Sequence, residues 1–127
     1  MAEDVWILGI SMTKFGKHPD KDTIDLASEA SLNALADAGV GMKDIGVLAA
    51  GNLMAAGAGI GQQLQKQIGQ TGIPVFNVAN ACATGATALR VAIMAIKASR
   101  PSASASSRSE KGNERWPVVT SGSSGST

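Results

Sequence analysis

The sequence predicts an α/β fold, a mostly parallel sheet with helices on its faces, built in the order β-α-β-α-β-α. Three observations carry that expectation. Short, continuous apolar runs at Val5–Ile10, Ile45–Ala50 and Val75–Ala79 have the length and make-up of strands buried on both faces. Each is followed by a stretch in which apolar residues return with helical spacing, at Thr23–Ala38, Gly61–Gln70 and Thr84–Ala98. The composition is also small and aliphatic, with 15 glycines, two phenylalanines and no tyrosine, which suits helices packed closely on a sheet.

Val5-Trp6-Ile7-Leu8-Gly9-Ile10 reads as the first buried strand, with a glycine near its end. Ser11–Lys21 contains Gly16, Pro19 and scattered charge and reads as a loop. Asp22 or Thr23 is placed to cap the first helix, which runs to Ala38. Ile24, Ala27, Ser31, Ala34, Leu35 and Ala38 share its inner face, while Asp25, Glu29, Asn33 and Asp37 line another. Gly39 follows as a C-cap. After the second strand, the glycine- and alanine-rich Gly51–Gly61 leads into a second helix with Ile60, Leu64 and Ile68 on one side. Gly72 and Pro74 end that unit before the third strand. In the last helix only Arg90 and Lys97 are charged, and a helix apolar nearly all round is expected to be buried on most sides.

Beyond residue 98 the character changes abruptly, so the chain divides into a domain at 1–98 and a low-complexity tail at 99–127. Ten of the tail's 29 residues are serine, and neither a strand nor a helix period survives. Such a segment lacks the apolar surface to offset its ordering entropy and is expected to be disordered. Trp116, Val118 and Val119 are its only bulky apolar residues, enough for one local contact. A tail that starts within a helix-to-strand connection is consistent with a frameshifted or artificially ended reading frame. Three strands also leave an exposed sheet edge where a fourth would lie.

Several function classes are excluded. With 11 basic against 10 acidic residues there is no electrostatic footprint for nucleic acid or an anionic membrane. The scarcity of aromatics argues against a base-stacking surface. The most apolar stretch, 73–98, carries Asn77, Asn80, Arg90 and Lys97 and is broken by Gly85, so no membrane span is expected. Glu3 and Asp4 precede an apolar run too short for a signal peptide. One cysteine rules out an internal disulfide and suits a reducing compartment, so the expected location is cytoplasmic.

Few residues carry a mechanism. Gly57-Ala-Gly59-Ile-Gly61 invites a dinucleotide-loop reading, but the third glycine comes one residue early and Gln62 holds its place. Close packing is the preferred account. His18, the one histidine, lies in a charged loop before Pro19 and reads as a surface residue. No Cys/His cluster offers a metal site, and no serine sits in a nucleophile elbow. Cys82 remains. It lies in Asn80-Ala81-Cys82-Ala83-Thr84-Gly85, where a strand ends and a helix begins. Unpaired N–H groups and the positive end of the helix dipole favour an anion there. The competing reading is that a lone free cysteine is a small buried hydrophobe.

Asn80–Gly85 with its flanks Val75–Ala79 and Ala86–Ala98 resembles the nucleophile region of the thiolase superfamily, in particular the sterol-carrier-protein-type thiolases, or lipid-transfer acetyl-CoA acetyltransferases. Val5–Phe15, Asp25–Gly39 and Ala50–Gly61 fit the same resemblance in order, over about residues 4–98. It implies a five-layered α/β/α/β/α fold of two similar halves, of which this chain resembles most of the first. It further implies that Cys82 attacks an acyl-CoA thioester to form an acyl-enzyme, with the Cys82 backbone N–H as an oxyanion donor. The CoA thioester is then a substrate, and no tightly bound cofactor is implied. The family's general bases and second cysteine lie in the C-terminal half, so the resemblance implies a fragment that does not turn over alone. Alternatives are a non-catalytic module that pairs with itself or with a complete relative, and, more weakly, a β-ketoacyl synthase fragment.

Overall fold

The computed structural model describes residues 4–54, 56–99 and 116–121. The first helix, α1 (Thr23–Ala38), begins where a local device requires it. The Asp22 carboxylate accepts the Asp25 N–H at 2.8 Å, and the Asp25 carboxylate accepts the Asp22 N–H at 3.1 Å. This reciprocal pair satisfies two backbone donors that the helix leaves open. Gly39 ends the helix at a φ of 71°, its N–H meeting the carbonyls of Ala36 and Leu35.

Strand β1 (Ile45–Gly51) follows a short 3-10 turn at Met42–Asp44, and α2 (Ile60–Ile68) follows a second one at Ala56–Ala58. Strand β2 (Val75–Val78), helix α3 (Thr84–Ser99) and strand β3 (Trp116–Ser121) complete the described elements. The sheet has the order β2-β1-β3, and both pairings are parallel. Leu48 lies opposite Val75 and Gly51 opposite Val78, while β3 runs from Trp116 beside Ile45 to Ser121 beside Gly51. The expected mixed α/β architecture with a short parallel sheet is therefore present.

Alternation from Leu48 to Ala49 divides the core in two, and the register irregularity between Ile45 and Val47 brings Ile45 to the Leu48 side. On one face Leu48 and Ile45 meet Ala27 and Leu35 of α1, Leu64 and Ile68 of α2, and Ile73. On the other face Ala49 meets Ala88 and Ala92 of α3, with Val78 and Val91 at the margin. The second cluster is small-residued because α3 lies close to the sheet. A Cβ on Gly51 would sit 2.7 Å from Thr84 Cγ2 and 2.8 Å from the Thr84 carbonyl oxygen.

Three expectations are corrected. Val5–Ile10 is not a strand: it runs beside α1 with Trp6, Ile7 and Ile10 at 72%, 71% and 72% exposure. Its anchors are the Ile10 N–H, which donates to Asp37 Oδ2 at 2.9 Å, and Gly9, where any Cβ would collide with Ala34 and Ala38. The physical reason is competition for hydrogen bonds: β1 is already paired on both edges, by β2 and β3. Part of the serine-rich tail supplies that second partner, since Trp116–Ser121 is β3, whereas the rest of the expected disordered segment, 100–115 and 122–127, lies outside the described residues. Helix α3 is buried along one stripe only, Thr84, Ala88 and Ala92, with Leu89 and Met94 exposed. The order thus becomes α-β-α-β-α-β, the same alternation displaced by one element. Ala81–Ser99 is long and apolar enough to cross a membrane by length and composition alone, and here its small-residue stripe is docked on β1.

Candidate functional site

Cys82 lies between β2 and α3, two residues before the helix begins, and it is exposed. Exposure removes the inert-core account of this thiol. The turn that carries it is tight: the Ala83 N–H donates to the Asn80 carbonyl at 2.9 Å, and the Thr84 N–H to the Ala81 carbonyl at 3.3 Å. Such a reversal places Ala81 in the left-handed region, at a φ of 47°. A side chain with a Cβ is disfavoured there by about 1–2 kcal/mol, so surrounding contacts must hold it.

Two threonines do so. Thr84 Oγ1 accepts the Asn80 N–H at 2.8 Å and donates to the Ala81 carbonyl at 2.7 Å. Thr87 Oγ1 accepts from Asn80 Nδ2 at 3.0 Å and donates to the Ala83 carbonyl at 3.0 Å. Asn80, Thr84 and Thr87 recur at helical spacing, so one side of α3's first turns is tied to the turn before it. Thr84 is itself buried against the end of β1 at Gly51. The parallel sheet therefore fixes α3, and α3 fixes the elbow that bears Cys82.

The other sequence candidates lie apart from this arrangement. The His18 ring nitrogen Nε2 lies 2.8 Å from the Lys14 carbonyl, within the N-terminal loop. Gly59 caps α2 at a φ of 67°, and Gly61 donates its N–H to Asn77 Oδ1 at 2.7 Å. A Cβ on Gly61 would lie 2.9 Å from Asn77 Oδ1 and 3.2 Å from the Ala50 Cβ. These glycines seat α2 against the sheet, which is the close-packing account. Among the described residues no group of three or more His, Cys, Asp or Glu is arranged to hold a metal ion. The roles of Asn80 and Thr87 were not read from sequence. Their spacing of seven residues across a strand-to-helix junction is the signal that could have found them.

Fold and site together define an α/β protein that presents a thiol at a strand-to-helix elbow. The family model for the thiolase N-terminal domain matches residues 5–104, and the chain belongs to the thiolase family. An acetyl-CoA acetyltransferase of Methanothermobacter thermautotrophicus is 42% identical over 98 residues, covering 73% of this chain and 25% of that protein. Human sterol carrier protein 2 is 38% identical over 91 residues, covering 69% of this chain and 17% of that protein. The chain thus spans a quarter or less of the length of these relatives. Among solved structures, OleA H285D of Xanthomonas campestris superposes with a TM-score of 0.55 at 24% identity, covering 63% of this chain and 24% of that one. A 3-oxoacyl-[acyl-carrier-protein] synthase III of Aquifex aeolicus superposes with a TM-score of 0.52 at 20% identity, covering 62% of this chain and 26% of that one. These two likenesses establish a shared fold.

Proposed function

We propose that this chain is the nucleophile-bearing N-terminal part of a thiolase-type acyl-CoA acyltransferase, with Cys82 as the residue that is acylated. The observation that carries the reading is the exposed thiol on a braced elbow at the mouth of α3. The Cys82 thiolate attacks the thioester carbonyl of an acyl-CoA. A C–S bond to Cys82 Sγ forms, negative charge collects on the carbonyl oxygen, and the Cys82 N–H donates to it. Collapse breaks the bond to the CoA sulfur, and CoA leaves as its thiolate, which takes up the proton released by Cys82. Acyl transfer is thereby split into two easier steps. The CoA thioester is the substrate, and the reading needs no tightly bound cofactor. A free, exposed thiol used in this way suits a reducing cytoplasmic compartment.

Resolution of the acyl-enzyme needs a base. The chain has one cysteine and one histidine, and His18 sits in the N-terminal loop beside Lys14. The reading therefore gives this segment the first half-reaction and leaves turnover to the remaining length that its relatives possess. The experiment is intact-mass and peptide analysis after incubation with acetyl-CoA. A stoichiometric acetyl adduct on Cys82, absent in Cys82→Ala, is expected; a wild-type chain that stays unmodified at every acyl-CoA tried defeats the proposal.

A second reading is a module that pairs with itself or with a complete relative. It is favoured by the apolar surface left open at Leu89 and Met94 on α3, Phe76 on β2, and Trp6, Ile7 and Ile10. Sedimentation velocity distinguishes it: concentration-dependent association is expected, and a monodisperse monomer across the accessible range counts against it.

A further inference from the structure

We infer that Thr84 is the positioning residue of the Cys82 elbow, and that its hydroxyl sets the direction of the Cys82 backbone N–H. The inference rests on the acyl-transfer reading of Cys82 and adds the residue that regulates its geometry.

The argument starts from the peptide plane. The Ala81 C=O and the Cys82 N–H are opposite ends of one planar, trans peptide unit. Whatever orients that carbonyl also orients that amide, in the opposite sense. Thr84 Oγ1 donates to the Ala81 carbonyl at 2.7 Å, the shorter of two bonds that carbonyl accepts, the other being from the Thr84 N–H at 3.3 Å. The hydroxyl draws that carbonyl toward the first turn of α3 and turns the Cys82 N–H away from it. The same oxygen accepts the Asn80 N–H at 2.8 Å, so one hydroxyl grips the backbone on both sides of the Asn80–Ala81 linkage. Between those two grips Ala81 takes its φ of 47°.

Donation to the carbonyl three or four residues back is ordinary for a helical threonine, as Thr87 also shows; accepting the Asn80 N–H with the same oxygen is not. A capping hydroxyl accepts from N–H groups further along its own helix. Thr84 instead reaches back three and four residues and serves the turn that carries the thiol. The threonine is in turn held from outside the elbow. Its side chain is buried, and the end of β1 leaves room for it only because residue 51 is glycine. A line of contact thus runs from Gly51 through Thr84 to the Ala81–Cys82 peptide.

Two reactions at the same sulfur separate positioning from access. Acyl transfer from acetyl-CoA develops an oxyanion and depends on where the Cys82 N–H points, whereas alkylation by iodoacetamide is a displacement at carbon that needs no such donor. Loss of a single oxyanion donor costs about 100- to 1000-fold in rate, and a donor that is misaimed rather than removed is expected to cost roughly tenfold or more. Thr84→Val, which keeps the shape and removes the hydroxyl, is therefore expected to slow acetylation of Cys82 by about that factor. Its alkylation rate should stay within about twofold, and Thr84→Ser should restore acetylation. Equal slowing of both reactions in Thr84→Val, or no change in acetylation, overturns the inference. If the wild-type chain is alkylated but never acetylated, the acyl-transfer reading itself has failed. The grip of Thr84 is then read directly by amide hydrogen exchange at Asn80. Roughly tenfold faster exchange in Thr84→Val, with Thr84→Ser close to wild type, is expected; unchanged exchange overturns it.

Discussion

Ala81 is the one non-glycine residue with a positive φ among the described residues, and it directly precedes the exposed thiol. Its left-handed backbone costs about 1–2 kcal/mol, while a glycine in its place costs about 0.5–1 kcal/mol in unfolded-chain entropy. Ala81→Gly is therefore expected to stabilise the fold by about 0.5–1 kcal/mol, seen as a higher urea midpoint with an unchanged slope. A lowered midpoint would mean that Ala81 bears no strain. Much of this site was legible in six residues, Asn80–Gly85, because a strand-to-helix junction is a local pattern. The handedness of Ala81 was not. Alanine carries no left-handed signal, and the conformation is set by a threonine three residues on that the opposite sheet face of β1 holds in place at Gly51.

At the scale of elements, local chemistry and pairing partners behaved differently. The start of α1 was legible because Asp22 and Asp25 stand three apart and satisfy each other's backbone. The Asp25 carboxyl is held below its ordinary range, first by the Asp22 backbone N–H and then by Gln67. A carboxyl depressed in the folded state adds stability above its unfolded pKa and loses it as pH falls through the folded value. Asp25→Asn should therefore lower the urea midpoint at pH 7, and the gap to wild type should close as the pH is taken below the ordinary carboxylate range. A gap of constant size down to the acid transition would show that the charge of Asp25 plays no part. Strand membership was less legible, since an apolar run becomes a strand only when an edge is open to it. The hydrophobic pattern marked strands at Ile45–Ala50 and Val75–Ala79, and the structure has them at Ile45–Gly51 and Val75–Val78. It favoured Val5–Ile10 over the proline-containing Trp116–Ser121, and the structure pairs β1 with the latter. For α3 the composition was read correctly and the environment was not: an all-round apolar helix needs two covering layers, and the described residues provide one, the sheet at Ala49 and Gly51.

For the molecule as a whole, the decisive quantity is the apolar surface left uncovered. The segment matches a quarter or less of its relatives' length, and large side chains at Trp6, Ile7, Ile10 and Met94 stand in solvent. Two accounts of Val5–Ile10 differ measurably. If the run lies on the surface beside α1, a charge at Ile7 replaces an exposed side chain, and folded-state stability should change by less than about 0.5 kcal/mol. If the run is a buried strand, the same charge loses its hydration inside the protein and costs as much as a core deletion. Leu48→Ala supplies the scale, since Leu48 is 0% exposed on the central strand and its truncation is expected to cost about 2–5 kcal/mol. Ile7→Lys is accordingly expected to keep the wild-type urea midpoint while weakening any self-association seen by sedimentation velocity, because it breaks an exposed apolar patch with a charge. A loss of stability close to that of Leu48→Ala would return Val5–Ile10 to the interior of a sheet and make β3 a substitute for it at the edge of β1. Unchanged stability with unchanged association would place the contact surface elsewhere, on the Leu89 and Met94 side of α3, where Met94→Lys repeats the test.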